Sequence, residues 1–516
     1  MSIQYTAALV AALFIPMFAG DLKVRVEGGT LEGAAGTKPG IRVFKGIPYA
    51  AAPIGNLRWT TPQPVVKWTG VREADHFGPR CTQAPIYSDM IFRDSGSSED
   101  CLHLNVWTPA KATSDKLPVM VWIHGGGFQA GASSEPRQDG ETLATKGVIV
   151  VSINYRMGVF GFLAHPGLTK ESAHHASGNY GLLDQRQALQ WVQKNIKAFG
   201  GNPKRVTIFG ESAGSFSVSA LMASPLSKDL FAGAIGESGA FFGPTLAAKT
   251  LADAETQGSK LGPDLHALRA MPGDKLLAAA TAQSAPGFNP IVDGYFFPAL
   301  PAEIFAAGKQ AHVPLLAGWN SDEMPYPVLM AKDIMTTERL TAQFRDKFGA
   351  DAEALQKAYA ASNDDEALQS ARELASDQFI GYSTWKWLEE QTRTSGKPVY
   401  RYSFTRVRPS KPGALFAGRI PASKLGAVHA SEIEYVFGAL DSNKDFMWQP
   451  DDWKVSEMMQ TYWTNFAKSG DPNGPGVPKW GAYPAQVMRL DINAKSEPQA
   501  HRERYLALDR FYSKKP

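Results

Sequence analysis

The segment IFGESAGS, Ile208–Ser215, spaces Gly210, Ser212 and Gly214 as G-x-S-x-G, directly after the apolar run VTIF. A serine hydroxyl is a weak nucleophile until a base takes its proton and N–H donors hold the oxyanion that forms. A strand ending in a sharp turn before a helix meets part of that need. It exposes Ser212 at the end of a sheet, and the helix N-terminus favours developing negative charge. Side chains at 210 or 214 would crowd the strand against the helix. A similar segment, GESGA at Gly236–Ala240, lacks the second glycine at that offset, so Ser238 is the weaker candidate.

The oxyanion needs its own donors. HGGGF, His124–Phe128, follows the apolar run LPVMVWI. Consecutive glycines let backbone N–H groups turn toward a ligand with no side chain in the way. The expected donors are Gly126, Gly127 and Ala213, the residue after the serine. His124 reads as a structural part of this loop.

These residues need a sheet to hold them. LPVMVWIHGGG (Leu117–Gly127), GVIVVSINY (Gly147–Tyr155), VTIF and VPLLAGWN (Val313–Asn320) read as buried strands. LLDQRQALQWVQKNIKAFG (Leu182–Gly200) has helical periodicity with Gly200-Gly201 as its stop, and AGSFSVSALMAS opens another helix. Strand and helix in alternation imply an α/β fold, a largely parallel sheet covered on both faces. Leu22–Val43 reads as short strands, Gly46–Pro64 as an ordered loop, and Thr336–Glu390 as a helix-rich insertion forming a cap or wall.

The chain has 516 residues, 44% hydrophobic and 20% charged, enough for a sizeable core. Its net charge of +3 comes from 53 basic and 50 acidic residues without a basic run, so no nucleic-acid partner is indicated. No spacing of the HExxH kind points to a metal, and no cofactor is expected. Residues 1–20, MSIQYTAALVAALFIPMFAG, carry an apolar stretch ending in small residues, like a secretory signal peptide, though no Lys or Arg precedes it. The stretch is short for a membrane span. The expectation is a secreted or periplasmic protein with a single domain over residues 21–516. The only cysteines, Cys81 and Cys101, are either a disulfide or two buried thiols. In an exported protein the bond is expected, and closing such a loop is worth about 3 kcal/mol in the chain-entropy view.

The chain resembles the type-B carboxylesterases, the cholinesterase-like branch of the α/β-hydrolases. The matching segments run nearly end to end: FKGIPYAAAPIGNLRW (Phe44–Trp59), SEDCLHLNVW (Ser98–Trp107), HGGGF, NYGLLDQ (Asn179–Gln185), FGGNPKRVTIFGESAGS (Phe199–Ser215), SDEM (Ser321–Met324) and HASEIEYVF (His429–Phe437). The resemblance implies a large, mostly parallel central sheet flanked by helices, with helical cap insertions. It implies a Ser212, Glu323, His429 triad and the oxyanion donors Gly126, Gly127 and Ala213. Glu323 sits beside Asp322, and the residues alone do not choose between them; the resemblance selects Glu323. Met324 stands where the family usually has a glycine. By the same resemblance Glu211 and Glu432 belong to a buried network near the triad, and Ser238 supports the acidic member. Arg58 with Glu99 and Arg156 with Asp184 form bracing ion pairs, and Cys81–Cys101 is the first disulfide, at the rim of the gorge.

The implied activity is hydrolysis of a small carboxylic ester through an acyl-enzyme. Related cholinesterases carry a tryptophan between the two cysteines to hold a quaternary ammonium. Here Thr82–Asp100 has Tyr87 and Phe92 but no Trp, which disfavours choline esters. Phe128, Phe241 and Phe242 would suit an apolar acyl or alkyl group at the mouth. The competing function is a catalytically silent binding or adhesion module on the same fold.

Overall fold

The computed structural model describes residues 22–246, 248–283, 287–324, 335–416 and 420–514. The signal-like segment 1–20 lies outside them. The described chain is built on one eleven-stranded sheet. Its order from one edge is Lys495–Pro498, Gln486–Leu490, Val399–Phe404, Leu315–Asn320, Gly233–Glu237, Gly201–Glu211, Leu117–Ile123, Ile149–Ile153, His103–Thr108, Arg42–Pro48 and Ala34–Ala35. The seven strands from Gln486–Leu490 to Ile149–Ile153 are parallel, and the outer strands on both sides pair antiparallel. This is the α/β-hydrolase fold.

The period of two along a strand decides which side chain meets which layer of helices. On the central strand, Val119, Val121 and Ile123 join the core that holds Leu189, Val192, Val218 and Leu221 of the helices Tyr180–Asn195 and Ala213–Ala223. Met120 and Trp122 face the opposite core, with Val455, Met459, Tyr462 and Trp463 of the helix Pro450–Ser469. Both faces are thus dry, which is why these strands read as unbroken apolar runs. The helix Tyr180–Asn195, which leads into the strand Gly201–Glu211, ends in a 3-10 turn, Ile196–Phe199, closed by Gly200 at φ 85°.

Two sequence expectations shift. Gly46 is not in a loop: the strand Arg42–Pro48 passes through it, with a register break between Phe44 and Ile47 that marks a bulge. Phe128, Phe241 and Phe242 do not line an open mouth, being only 0%, 5% and 7% exposed. Phe128 packs on Phe162 and Phe241, and Phe242 on Phe305, so their rings fill the interior.

The insertion between Leu315–Asn320 and Val399–Phe404 contains the helices Thr337–Phe348, Ala352–Ala358, Asp364–Ser376 and Tyr382–Ser395. Among the described residues no helix is long and apolar enough to cross a membrane. Cys81 and Cys101 are joined in a disulfide. Arg58 pairs with Glu99 at 2.5 and 2.7 Å, and Arg156 with Asp184 at 2.7 and 2.8 Å.

Register fixes where the loops leave the sheet. Gly210 lies level with Ile123 on one side and with Gly236 on the other, and Gly236 with Ala317. The segments after these positions carry His124–Phe128, Ser212, Ser238 and Glu323. All of them emerge at the carboxyl edge of the parallel strands.

Candidate active site

Ser212 stands between the strand Gly201–Glu211 and the helix Ala213–Ala223 with φ 55° and ψ −122°. Such a conformation costs a non-glycine residue about 1–3 kcal/mol and persists only where neighbours enforce it. Here the Ser212 N–H donates to the Glu237 carbonyl at 2.9 Å, and the Phe216 N–H donates to the Ser212 carbonyl at 2.9 Å. Gly214 lets the helix touch the sheet: a Cβ there would lie 1.9 Å from the Ile123 carbonyl oxygen. Ser212 is half-buried, and its hydroxyl makes no hydrogen bond to a described residue.

The glycine loop lies against this turn. A Cβ on Gly125 would come within 3.0 Å of the Ser212 Cβ. Gly126, Gly127 and Phe128 have φ of 102°, 63° and 59°, three successive left-handed residues. A Cβ on Gly126 would sit 2.0 Å from the Ala130 carbonyl oxygen, so the loop closes on itself only with glycine there. Among the described residues the N–H groups of Gly126, Gly127 and Ala213 donate to no protein acceptor. His124 takes no part. Its ring stacks on Tyr155 at 4.6 Å, and burial lowers its pKa to about 4, so it stays neutral.

His429 approaches from the far side. Its Nδ1 is 2.6 Å from Glu323 Oε2, and its Nε2 is 3.3 Å from Glu211 Oε1, one residue before Ser212. The Glu323 contact keeps a proton on Nδ1, so it is Nε2, facing Glu211 on the serine turn, that gains and loses the titrating proton. Glu323 Oε1 accepts from the Ser238 hydroxyl at 2.6 Å and from the Asn320 N–H at 2.7 Å. The Ser238 hydroxyl also lies 3.2 Å from Glu432 Oε1, and Asn320 Nδ2 donates to Glu432 Oε2 at 2.6 Å. Ser238 shares the left-handed backbone, φ 61°, but spends its hydroxyl on carboxylates. Asp322 turns away: Oδ2 accepts from the Gly426 N–H at 2.9 Å and from Arg372 of the inserted helices.

The carboxyl groups of Glu211, Glu323 and Glu432 are buried around the His429 imidazole, and that of Glu237 is buried next to this cluster. Burial raises Glu211 to about 8 against the pull of His429, and raises Glu237 well above the carboxylate range. For His429 burial opposes the charge, but Glu211, then Glu323, outweigh it and lift the imidazole to about 9. Glu237 also accepts from Trp463 Nε1 at 2.8 Å. A hydroxyl, an imidazole with its carboxylate, and three unpaired N–H groups at one sheet edge can transfer an acyl group.

Sequence reading missed several neighbours. The inserted helices carry Phe379, whose ring meets the His429 imidazole edge-on at 5.1 Å. It reaches there because Asp377–Gly381 is a π-helical turn inside a longer helical run. Tyr87 and Met90, from the disulfide-closed loop, hang over the glycines: a Cβ on Gly127 would be 3.1 Å from the Tyr87 hydroxyl, and one on Gly126 would be 3.1 Å from Met90 Cε. The apolar stretch IYSDMIF, Ile86–Phe92, within that loop was the available signal.

The sequence profile of the Carboxylesterase family matches residues 20–508. Fumonisin B1 esterase of Sphingopyxis macrogoltabida is 37% identical over 476 residues, 88% of this chain and 83% of that protein. Carboxylesterase 1D of Rattus norvegicus is 35% identical over 506 residues, 89% of this chain and 86% of that protein. Cocaine esterase of Homo sapiens is 35% identical over 501 residues, 90% and 86% of the two chains.

The electrostatics make a testable statement. His429 is raised chiefly by Glu211, so Glu211→Gln removes the stabilising charge and the imidazole must titrate at lower pH. An NMR titration of the His429 ring protons in both proteins reads this directly. A midpoint that stays put or rises in the variant contradicts the assignment of Glu211 as the main partner.

Proposed function

The chain belongs to the carboxylesterase family and is a carboxylic ester hydrolase; on that premise we propose that Ser212, His429 and Glu323 carry the reaction. The observation that carries the reading is the 2.6 Å contact of His429 Nδ1 with Glu323, which aims Nε2 at the serine turn. His429 Nε2 takes the Ser212 proton as the hydroxyl oxygen attacks the ester carbonyl carbon. The carbonyl oxygen becomes an anion received by the N–H groups of Gly126, Gly127 and Ala213. Glu323 holds the imidazolium, supported by Ser238. The tetrahedral species collapses, the C–O bond to the alcohol breaks, and His429 returns its proton to the leaving oxygen. Water then attacks the acyl-Ser212 carbon, giving a proton to His429; the bond from Ser212 Oγ to the acyl carbon breaks, His429 returns the proton to that oxygen, and the acid departs.

The strained Ser212 backbone and the three unpaired N–H groups favour this reading over a silent binding module, which would have no use for either. The substrate is a small carboxylic ester. Choline esters are disfavoured, since no tryptophan stands in the Thr82–Asp100 loop. Two of the relatives named above carry the names of different compounds, fumonisin B1 and cocaine, so the substrate is set by each chain's own walls. Replacing Ser212 by Ala should lower kcat on p-nitrophenyl acetate by roughly three orders of magnitude or more. A variant within about tenfold of the parent contradicts Ser212 as nucleophile.

The Cys81–Cys101 bond favours an oxidising compartment, and with the apolar residues 1–20 it supports export as a single domain. Mass spectrometry of the protein recovered from producing cells should find the chain starting after residue 20 and both cysteines oxidised. A mature protein that keeps residues 1–20, with free thiols, contradicts export.

A further inference from the structure

His429 stands in a tight turn. The Ser431 N–H donates to the Val428 carbonyl at 3.1 Å, so His429 and Ala430 are the two central residues. Ala430 has φ 63°. A turn with positive φ at its second central residue suits glycine, which adopts it at no steric cost, whereas an alanine Cβ disfavours it. The residue next to the imidazole is thus in a conformation that its own side chain opposes. Contacts from elsewhere in the chain must hold it there.

Two sets of contacts flank His429. On its N-terminal side the chain is tied to the loop that carries Glu323. The Gly426 N–H donates to Asp322 Oδ2, the Asp322 N–H to the Ala427 carbonyl and Asn320 Nδ2 to the Val428 carbonyl, each at 2.9 Å. On its C-terminal side, among the described residues, one side chain reaches the turn's backbone. Arg408 donates from Nη2 to the Ala430 carbonyl and from Nε to the Ser431 carbonyl at 3.3 Å. The guanidinium is itself fixed: Nη2 lies 3.2 Å from Oε2 of the buried Glu434, and the group stands over the Phe446 ring at 5.0 Å. Its segment is anchored too, since the Met447 N–H donates to the Pro409 carbonyl at 2.8 Å. A planar fork on two successive carbonyls fixes the peptide planes that follow Ala430.

Resting on the reading of His429 as the base, we propose that Arg408 is a positioning residue for the reaction. By holding the Ala430 and Ser431 carbonyls it keeps the turn left-handed, and so keeps the imidazole between Glu323 and the serine turn. It acts through His429 and exchanges no proton in the reaction. Without the fork, Ala430 is free to relax toward negative φ, and the imidazole moves with the peptide that follows it.

The test is a double-mutant cycle of Arg408→Gln with Ala430→Gly, on full-length proteins shown to be folded by thermal unfolding. Arg408→Gln should lower kcat on p-nitrophenyl acetate about tenfold or more with KM little changed, because a misplacement of roughly 1 Å can cost about a hundredfold. The low-field proton resonance of His429 Nδ1–H, which reports its bond to Glu323, should shift or broaden. Arg408→Lys keeps the charge beside Glu434 but lacks the fork, so it should lose kcat as well; it carries the same comparison if Arg408→Gln does not fold. The decisive readout is coupling. The kcat loss caused by Arg408→Gln should be smaller in the Ala430→Gly background, since glycine holds φ 63° unaided. A purely structural Arg408 would lower the unfolding temperature and leave kcat and the His429 resonance of the folded protein where they were. That result would overturn the proposal, as would a kcat loss of equal size in both backgrounds. Parent-level activity in His429→Ala would instead strike the reading beneath it; an inactive His429→Ala beside an unimpaired Arg408→Gln strikes the positioning role alone.

Discussion

The arrangement depends on how closely one helix can approach one strand. Gly214 brings the start of the helix Ala213–Ala223 onto the Ile123 carbonyl, where a Cβ would clash at 1.9 Å. Without that contact the chain would have room to relax at Ser212, and φ 55° would have no reason to persist. With it, Ser212 is held between strand and helix, directly against the glycine loop that leaves Ile123. A large sheet whose central strands are buried on both faces supplies the rigidity that keeps the turn strained.

A second constraint is charge. The fold buries the carboxyl groups of Glu211, Glu237, Glu323 and Glu432 close together. Such a group is tolerated only if it is hydrogen-bonded, paired or protonated. The molecule uses all three: Ser238 and Asn320 bond Glu323, His429 faces Glu211 and Glu323, and burial pushes Glu211 and Glu237 up. The imidazole is the cation that this negative pocket favours. In the acyl transfer proposed above, the His429 imidazolium meets stabilising groups already in place, with no reorganisation.

Much of this was legible in the sequence because it rests on local patterns. Unbroken apolar runs announced strands buried on both faces, and G-x-S-x-G between VTIF and a helix announced the turn. Other features depend on contacts across the chain. His429 was one of ten histidines and stood out only by resemblance. Asp322 and Glu323 are neighbours of like chemistry; which one meets His429 depends on how the loop leaves its strand. The bond between Glu237 and Trp463 joins residues 226 positions apart, beyond the reach of spacing. Phe379 reaches His429 through a π-helical turn that periodicity does not announce. The phenylalanines misplaced at the mouth show the opposite limit: an aromatic next to a site motif looks the same whether it lines a gorge or fills the core behind it.

The central claim is that the fold activates one serine out of all those present. Fluorophosphonate labelling of the folded protein, with the adduct mapped by peptide mass spectrometry, tests it most directly. The account predicts a stoichiometric adduct on Ser212 that disappears in His429→Ala. No adduct on folded protein, or an adduct on Ser238, would contradict it.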